Sequence, residues 1–233
     1  MKTSNKLILT LIAVIFLGIL SSSLILKSEF EKLDRNDPLS GYSQGELPPF
    51  KAVKIIGNYP GLVELRAGDA YEIRMDEGTD GRTKWEIKGD TLEVSIQLMN
   101  PSENFPKYYY TFYGENAGVY ITAPNLSALH AEGITCRLSG WKEAQMHFEV
   151  QGKEGVQRGV LLKESNVDQF SATVSEGSLL LLEASNKISR ALVNIRDVSA
   201  FTAEYNALDS LEIQADETAQ LNLPGYLLSR LIP

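Results

Sequence analysis

The residues best placed to do chemistry are oxygen-bearing side chains that recur along the second half of the chain. Glu132, Gln151, Glu176, Asp197 and Asp216 each close an alternating segment, at intervals of about 19 to 25 residues, the range of a single coil in a β-solenoid. If successive segments stack in register, these side chains form one column, with neighbours about 4.8 Å apart. Carboxylates at that spacing repel unless water or a cation intervenes, so Glu132, Glu176, Asp197 and Asp216 are candidate oxygen ligands for Ca²⁺. The plainer reading is that Asp, Glu and Gly simply suit tight exposed turns. His130 and His147, the two histidines, alternate with apolar neighbours and share outward faces with Glu132 and Glu149. Zn²⁺ favours that ligand set; solvated surface residues are the competing account. No cofactor is implied.

A second constellation is the run Tyr108-Tyr109-Tyr110-Thr111-Phe112-Tyr113. Alternation puts Tyr108, Tyr110 and Phe112 on one face and Tyr109 and Tyr113 on the other. One set is core. The other is exposed or covers a join, and exposed Tyr rings stack well on the apolar faces of sugars. Tyr109 and Tyr113 are therefore the candidate ligand-binding residues, with structural packing as the alternative. The single cysteine, Cys136, excludes an intrachain disulfide and a multi-cysteine metal site. It alternates with Ile134 and Leu138 and reads as a small buried hydrophobe.

The elements that must position these groups are strands. Ala128-Leu129-His130-Ala131-Glu132-Gly133, Met146 to Gly152, Phe170 to Gly177, Leu192 to Val198 and Leu211 to Glu217 share one alternating design. Their inward positions are Leu129, Phe148, Ala172, Val193 and Ile213, a continuous core in which each large apolar side chain contributes roughly 1.5–3 kcal/mol. Earlier in the chain the period is also two: Val53 and Ile55, Val63 and Leu65, Tyr71 to Met75, Trp85 and Ile87, then Leu92 to Leu98, separated by Gly- and Asp-containing turns. Residues 99–118 interrupt the pattern, and Val119 to Ala123 restart it. Leu227, Leu228 and Leu231 have helix-like spacing and read as a cap, residues 226–233, over the last coil.

Residues 7–26 (LILTLIAVIFLGILSSSLIL) carry no charge and fourteen Leu, Ile, Val or Phe. Twenty such residues at 1.5 Å each span about 30 Å, the thickness of a bilayer core. Lys2 and Lys6 precede the run and mixed charge follows it, which places the N-terminus in the cytoplasm and the remainder outside. The expectation is an anchor over residues 1–27, or a signal peptide if it is cleaved. Residues 28–49, charged and then rich in Pro, Gly and Ser, read as a flexible tether. Beyond the first 27 residues the chain carries 19 basic and 30 acidic residues, a net −11. A surface so acidic repels phosphate backbones and excludes nucleic acid as a partner.

Phe50-Lys51-Ala52-Val53-Lys54-Ile55, the strand Leu62 to Leu65, Gly68-Asp69 and Tyr71-Glu72-Ile73 resemble the opening of the GIN domain. Lys88-Gly89-Asp90-Thr91-Leu92-Glu93-Val94 is similar to that family's next signature. The family is described as the head domain of putative auto-transporter adhesins, a domain of unknown function common in Bacteroidetes. The resemblance covers residues 50 to about 223; the Tyr-rich insertion and the Gly-poor later turns depart from it. It implies an extracytoplasmic, non-enzymatic β-solenoid and brings no catalytic residues.

The reading that results is an all-β fold, a right-handed parallel β-helix or β-solenoid-like body over residues 50–225, preceded by an N-terminal transmembrane helix. Residues 50–118 form a first lobe and 119–225 the coil repeats. Anchored in the inner membrane through residues 7–26, or released if cleaved, the body would sit in the periplasm as an adhesin-like module for a glycan or an envelope protein. The alternative is a polysaccharide-acting β-helix enzyme, a lyase or hydrolase, for which candidate acids exist but no Arg or Lys cluster sits beside them on equivalent strand positions.

Overall fold

The computed structural model describes residues 3–32, 37–59, 61–97, 112, 116–153 and 158–231. It divides into two units, Met1–Tyr42 and Ser43–Pro233. The first contains α1 (Thr3–Lys32), and its stretch Thr10–Ser28 has a mean hydropathy of 2.1 and is long and apolar enough to cross a membrane. Leu11, Val14, Phe16, Ile19 and Leu24 are all exposed, as expected of a helix that is hydrophobic all round. The helix outruns the apolar run because no Gly or Pro interrupts residues 27–32, and Lys27 and Glu31 pair one turn apart at 3.8 Å.

The second unit starts inside the segment read as a tether. There β1 (Ser43–Glu46) pairs antiparallel with a later strand, and Leu47 and Phe50 are buried. The chain continues through β2 (Ala52–Gly57), β3 (Leu62–Ala67), β4 (Glu72–Met75), one short turn of helix α2 (Glu77–Asp80), β5 (Thr83–Lys88), β6 (Thr91–Ile96) and β7 (Val119–Ala123). Next come β8 (Ala128–Glu132), β9 (Thr135–Ser139), β10 (Lys142–Gln151), β11 (Gly159–Lys163) and β12 (Asn166–Ser175). The last are β13 (Leu179–Leu182), β14 (Lys187–Ile195), β15 (Ala200–Ala203), β16 (Leu211–Ala215), β17 (Gln220–Asn222) and α3 (Gly225–Leu231). α2, absent from the strand pattern, exists because Asp76 caps it, accepting from the Thr79 N–H at 2.7 Å.

Two sheets share these strands. One has nine, in the order β1-β4-β7-β3-β9-β11-β13-β15-β17; the other has eight, β16-β14-β12-β10-β8-β2-β6-β5. From β8 onward the chain visits the sheets alternately, and from β10 each strand lies parallel to the one visited two steps earlier. The sheets are mixed rather than wholly parallel, because β1 on β4, β4 on β7 and β5 on β6 are antiparallel. A short Gly89-Asp90 turn can join only antiparallel neighbours.

The order is also not sequential. β2 lies between β6 and β8, and β3 between β7 and β9. Residues 50–118 and 119–225 therefore do not form separate lobes: both sheets run through them without a break.

Alternation fixes which face is buried. Leu129, Phe148, Ala172, Val193 and Ile213 fall opposite one another in one continuous register across β8, β10, β12, β14 and β16, as the sequence predicts. The first four are buried, whereas Ile213 is only half-buried, since among the described residues β16 is an edge with no following strand. Phe148 and Phe170 meet edge-on at 5.0 Å in the same core. Corners between the sheets are fastened by buried polar side chains. Asn186 donates to the Leu162 and Glu183 carbonyls at 2.6 and 2.9 Å and accepts from the Ser165 N–H at 3.1 Å. Ser178 donates to the Val150 and Ser175 carbonyls, and its N–H reaches Ser199 Oγ. These bonds satisfy backbone groups that would otherwise be buried without partners. α3 follows Pro224, buries Leu227 and places the Tyr226 hydroxyl on the Leu208 carbonyl at 2.7 Å.

Candidate functional site

Register decides which of the sequence-derived candidates meet. Glu132 stands opposite Gln151, but Gln151 stands opposite Ser175, not Glu176. Ile195 pairs with Ala215, so Asp216 follows in line with Arg196 while Asp197 lies one position further on. The expected column is thus split into two registers. Glu176 and Asp197 sit instead in left-handed corners with φ of 58° and 57°. Asp216 accepts from the Asp197 N–H and from both the N–H and hydroxyl of Thr218. The Thr218 hydroxyl first, and then the Asp197 amide, hold its carboxyl below the usual range. Among the described residues, no group of three His, Cys, Asp or Glu side chains is arranged to hold a metal ion. Tyr109 and Tyr113 lie outside the described residues; their neighbour Phe112 is buried.

The histidines do share an outward face. His130 on β8 and Glu149 on β10 are directly opposite, with Nδ1 and Oε2 2.8 Å apart. His147 Nε2 lies 3.7 Å from the other Glu149 oxygen, and its Nδ1 is 2.8 Å from Ser171 Oγ. The hydrogen bond from His130 lowers the Glu149 carboxyl below its ordinary value, with both imidazoles adding to the effect.

This row is part of a larger surface, the outer face of the eight-stranded sheet. Period-two alternation lays out Gln145, Gln169 and Arg190 in one line across β10, β12 and β14. His147, Ser171, Leu192 and Glu212 form another line, which runs on to β16. Between the lines lies an open groove of about 410 Å³. Its lining is mixed: two amides, two hydroxyls, an imidazole, one guanidinium and one carboxylate, beside Met146, Phe170 and the half-exposed Leu192 (43%) as apolar contacts. A similar open groove of about 430 Å³ lies over Lys54, Ile56, Lys84 and Glu93, toward the β5 edge.

One polar centre was not visible in the sequence. Glu64 and Arg66 alternate with the inward Val63 and Leu65, yet Glu64 is 2% exposed. It receives Arg66 Nε at 2.6 Å, Arg137 Nε at 3.1 Å and Arg137 Nη2 at closer range. Arg137 also donates to the Phe112 carbonyl at 2.9 Å, and Arg66 stacks 4.5 Å over the Tyr120 ring. Burial alone would raise the Glu64 carboxyl, but the hydrogen bonds and charges of both arginines outweigh it and hold the group low. Nothing in the sequence around Glu64 marks this burial, because Tyr120 and Arg137, which stand opposite it on the flanking strands, come from 56 and 73 positions away. Cys136 is fully buried as expected, and burial pushes its thiol far above the usual range, which leaves it inert.

The fold and surface define a two-sheet, mostly-β protein with an apolar N-terminal helix and a polar outer sheet face. No protein-family model matches the chain, and no curated protein matches it. Among solved structures it is similar to a putative adhesin from Bacteroides fragilis NCTC 9343, with 12% identity and a TM-score of 0.39 over 78% of this chain and 96% of that one. A putative adhesin from Parabacteroides merdae ATCC 43184 gives 10% and 0.38 over 78% and 95%. A putative lipid binding protein from Parabacteroides distasonis ATCC 8503 gives 10% and 0.38 over 78% and 94%. Likeness at this level assigns no function.

Proposed function

We propose that the chain is a membrane-tethered binding module of the cell envelope, adhesin-like and non-catalytic, whose strand faces engage a glycan or an envelope protein. The observation that carries this reading is the outer face of β8 to β16: open to solvent, rich in hydrogen-bonding side chains, and built on one continuous set of paired strands. Such a surface suits an extended, hydroxyl-rich or peptide partner. The parallel, alternating strand pairs support a β-solenoid of the GIN type for residues 50–225, and α1 supports tethering with the body on the periplasmic side. Tyr109 and Tyr113 belong to the proposal as a further stacking surface. Nothing among the described residues favours the polysaccharide-cleaving alternative.

The test is a screen of the full chain in nanodiscs against glycan arrays and envelope-protein extracts. Gln169→Ala with Arg190→Ala should abolish the captured signal without lowering the melting temperature. Unchanged binding in that double variant rejects the sheet face, and a loss seen only in Tyr109→Ala with Tyr113→Ala moves the site to the aromatic run. Orientation has its own check: a C-terminal tag that stays protected from protease in intact spheroplasts rejects the periplasmic placement.

A further inference from the structure

Every sheet that does not close on itself has two edges, and edges pair with other chains unless something blunts them. Among the described strands, three of the four edges are blunted. β1 is four residues long and is followed by Pro48-Pro49; β5 carries Lys84 and Lys88; β17 is three residues long and runs into Pro224. β16, with the sequence Leu-Glu-Ile-Gln-Ala, has no Pro, no Lys and no bulge. Its inward residues, Leu211 and Ile213, pack on the core yet stay partly open where a further strand would lie.

The backbone at this edge has a definite register. Ala191 N–H donates to the Ser210 carbonyl and Asp216 N–H to the Ile195 carbonyl. In a parallel ladder that pattern turns the groups of Glu212 and Gln214 toward β14 and those of Leu211, Ile213 and Ala215 toward the free edge. No hydrogen bond among the described residues takes up those outward groups.

We propose that β16 is a homodimerisation edge, which pairs antiparallel with β16 of a second copy about a two-fold axis at Ile213. The occupant follows from self-complementarity. With Ile213 opposite Ile213 of the copy, Leu211 faces Ala215, so every outward N–H and C=O meets a partner in a hydrogen-bonded pair. On the solvent side Glu212 faces Gln214 of the copy, an amide that can donate to the carboxylate, and Ser210 faces Asp216. Sliding the pairing by two residues in either direction sets Glu212 against Glu212, or Glu212 against Asp216, and like charges directly opposite are unfavourable. The chosen register also covers Leu211 and Ile213. It makes the eight-stranded sheet continuous across the dimer and doubles the outer face.

Cross-linking reads this register directly. Residues 212 and 214 of the copy form the non-hydrogen-bonded pair, with Cα atoms about 4.5 Å apart, inside the range of a disulfide. The full chain in detergent, carrying Glu212→Cys and Gln214→Cys, should form a disulfide-linked dimer on mild oxidation, while each single variant should not. The buried Cys136 does not interfere. No dimer from the double variant, or equal cross-linking by Glu212→Cys alone, overturns the proposal; association through α1 cannot give the expected pattern. In sedimentation of the cysteine-free edge, Gln214→Glu should weaken the dimer about tenfold by setting two carboxylate pairs opposite each other. Adding Glu212→Lys should restore it. A dissociation constant unmoved by Gln214→Glu also overturns the proposal.

Discussion

Replacing Glu64 by Gln keeps the size of the side chain and removes its charge from the centre of a buried pair. Glu64 is 2% exposed and holds two arginines at hydrogen-bond distance. Breaking a buried pair from one side costs about 3–5 kcal/mol. Two features reduce that here. The Arg66 side chain is 41% exposed and can turn to water, and Arg137 keeps its bond to the Phe112 carbonyl. The expected loss is about 2–3 kcal/mol, which for a body of this size lowers the melting temperature by roughly 5–10 °C. Near-ultraviolet circular dichroism of the full chain in detergent, with heat or urea, follows the β body without interference from α1. A double cycle with Arg137→Gln should return a coupling on the order of 1–2 kcal/mol. The pH dependence has a fixed sign. The Glu64 carboxyl lies below its ordinary value of 4.5 in the folded chain, so its contribution is full above that value and is lost as pH falls through the lower, folded one. Glu64→Gln should flatten that acid limb. A loss under 0.5 kcal/mol, or no coupling to Arg137, would show that the pair contributes nothing to stability.

Three further predictions test the frame that carries the sheet face. Gly152→Ala drives a Cβ into the Glu176 carbonyl oxygen of the next corner, and the strain should cost about 1–3 kcal/mol in urea unfolding; an unchanged midpoint contradicts the corner geometry. Asn186→Ala strips the Leu162 and Glu183 carbonyls and the Ser165 N–H of their shared partner, and should cost about 2–3 kcal/mol, whereas Ser185→Ala at the exposed neighbour should cost less than 1. Val193→Asp should prevent folding while Asn194→Asp leaves the melting temperature within a few degrees, since only the first side chain is buried. Equal behaviour of the two variants would mean the inward register is off by one residue.

Several of these sites were legible before any coordinates, and others were not. Period-two alternation placed Leu129, Phe148, Ala172 and Val193 on the inside and His130 and His147 outside, because a strand's two faces are written into neighbouring residues. The acidic corners were recognisable as corners, but not their alignment. One residue more or less in a left-handed turn shifts Glu176 and Asp197 out of line with Glu132, and no local pattern counts that residue. The helix α3 was visible in the spacing of Leu227, Leu228 and Leu231, whereas α2 hung on a single Asp76 cap.

By itself, the sequence determined the apolar helix, the strand-rich body, the inward set of each repeat and the buried state of Cys136, all of which follow from local hydrophobic period. The tertiary structure alone decided what depends on partners far along the chain. It inserted β2 and β3 between strands that come later, which joined two expected lobes into one pair of sheets. It buried Glu64 by bringing Arg137 beside it from 73 residues away, and among the described strands it left β16 as the edge without Pro or Lys. Alternation tells a residue which face it occupies; only strand order tells it what stands next to it there.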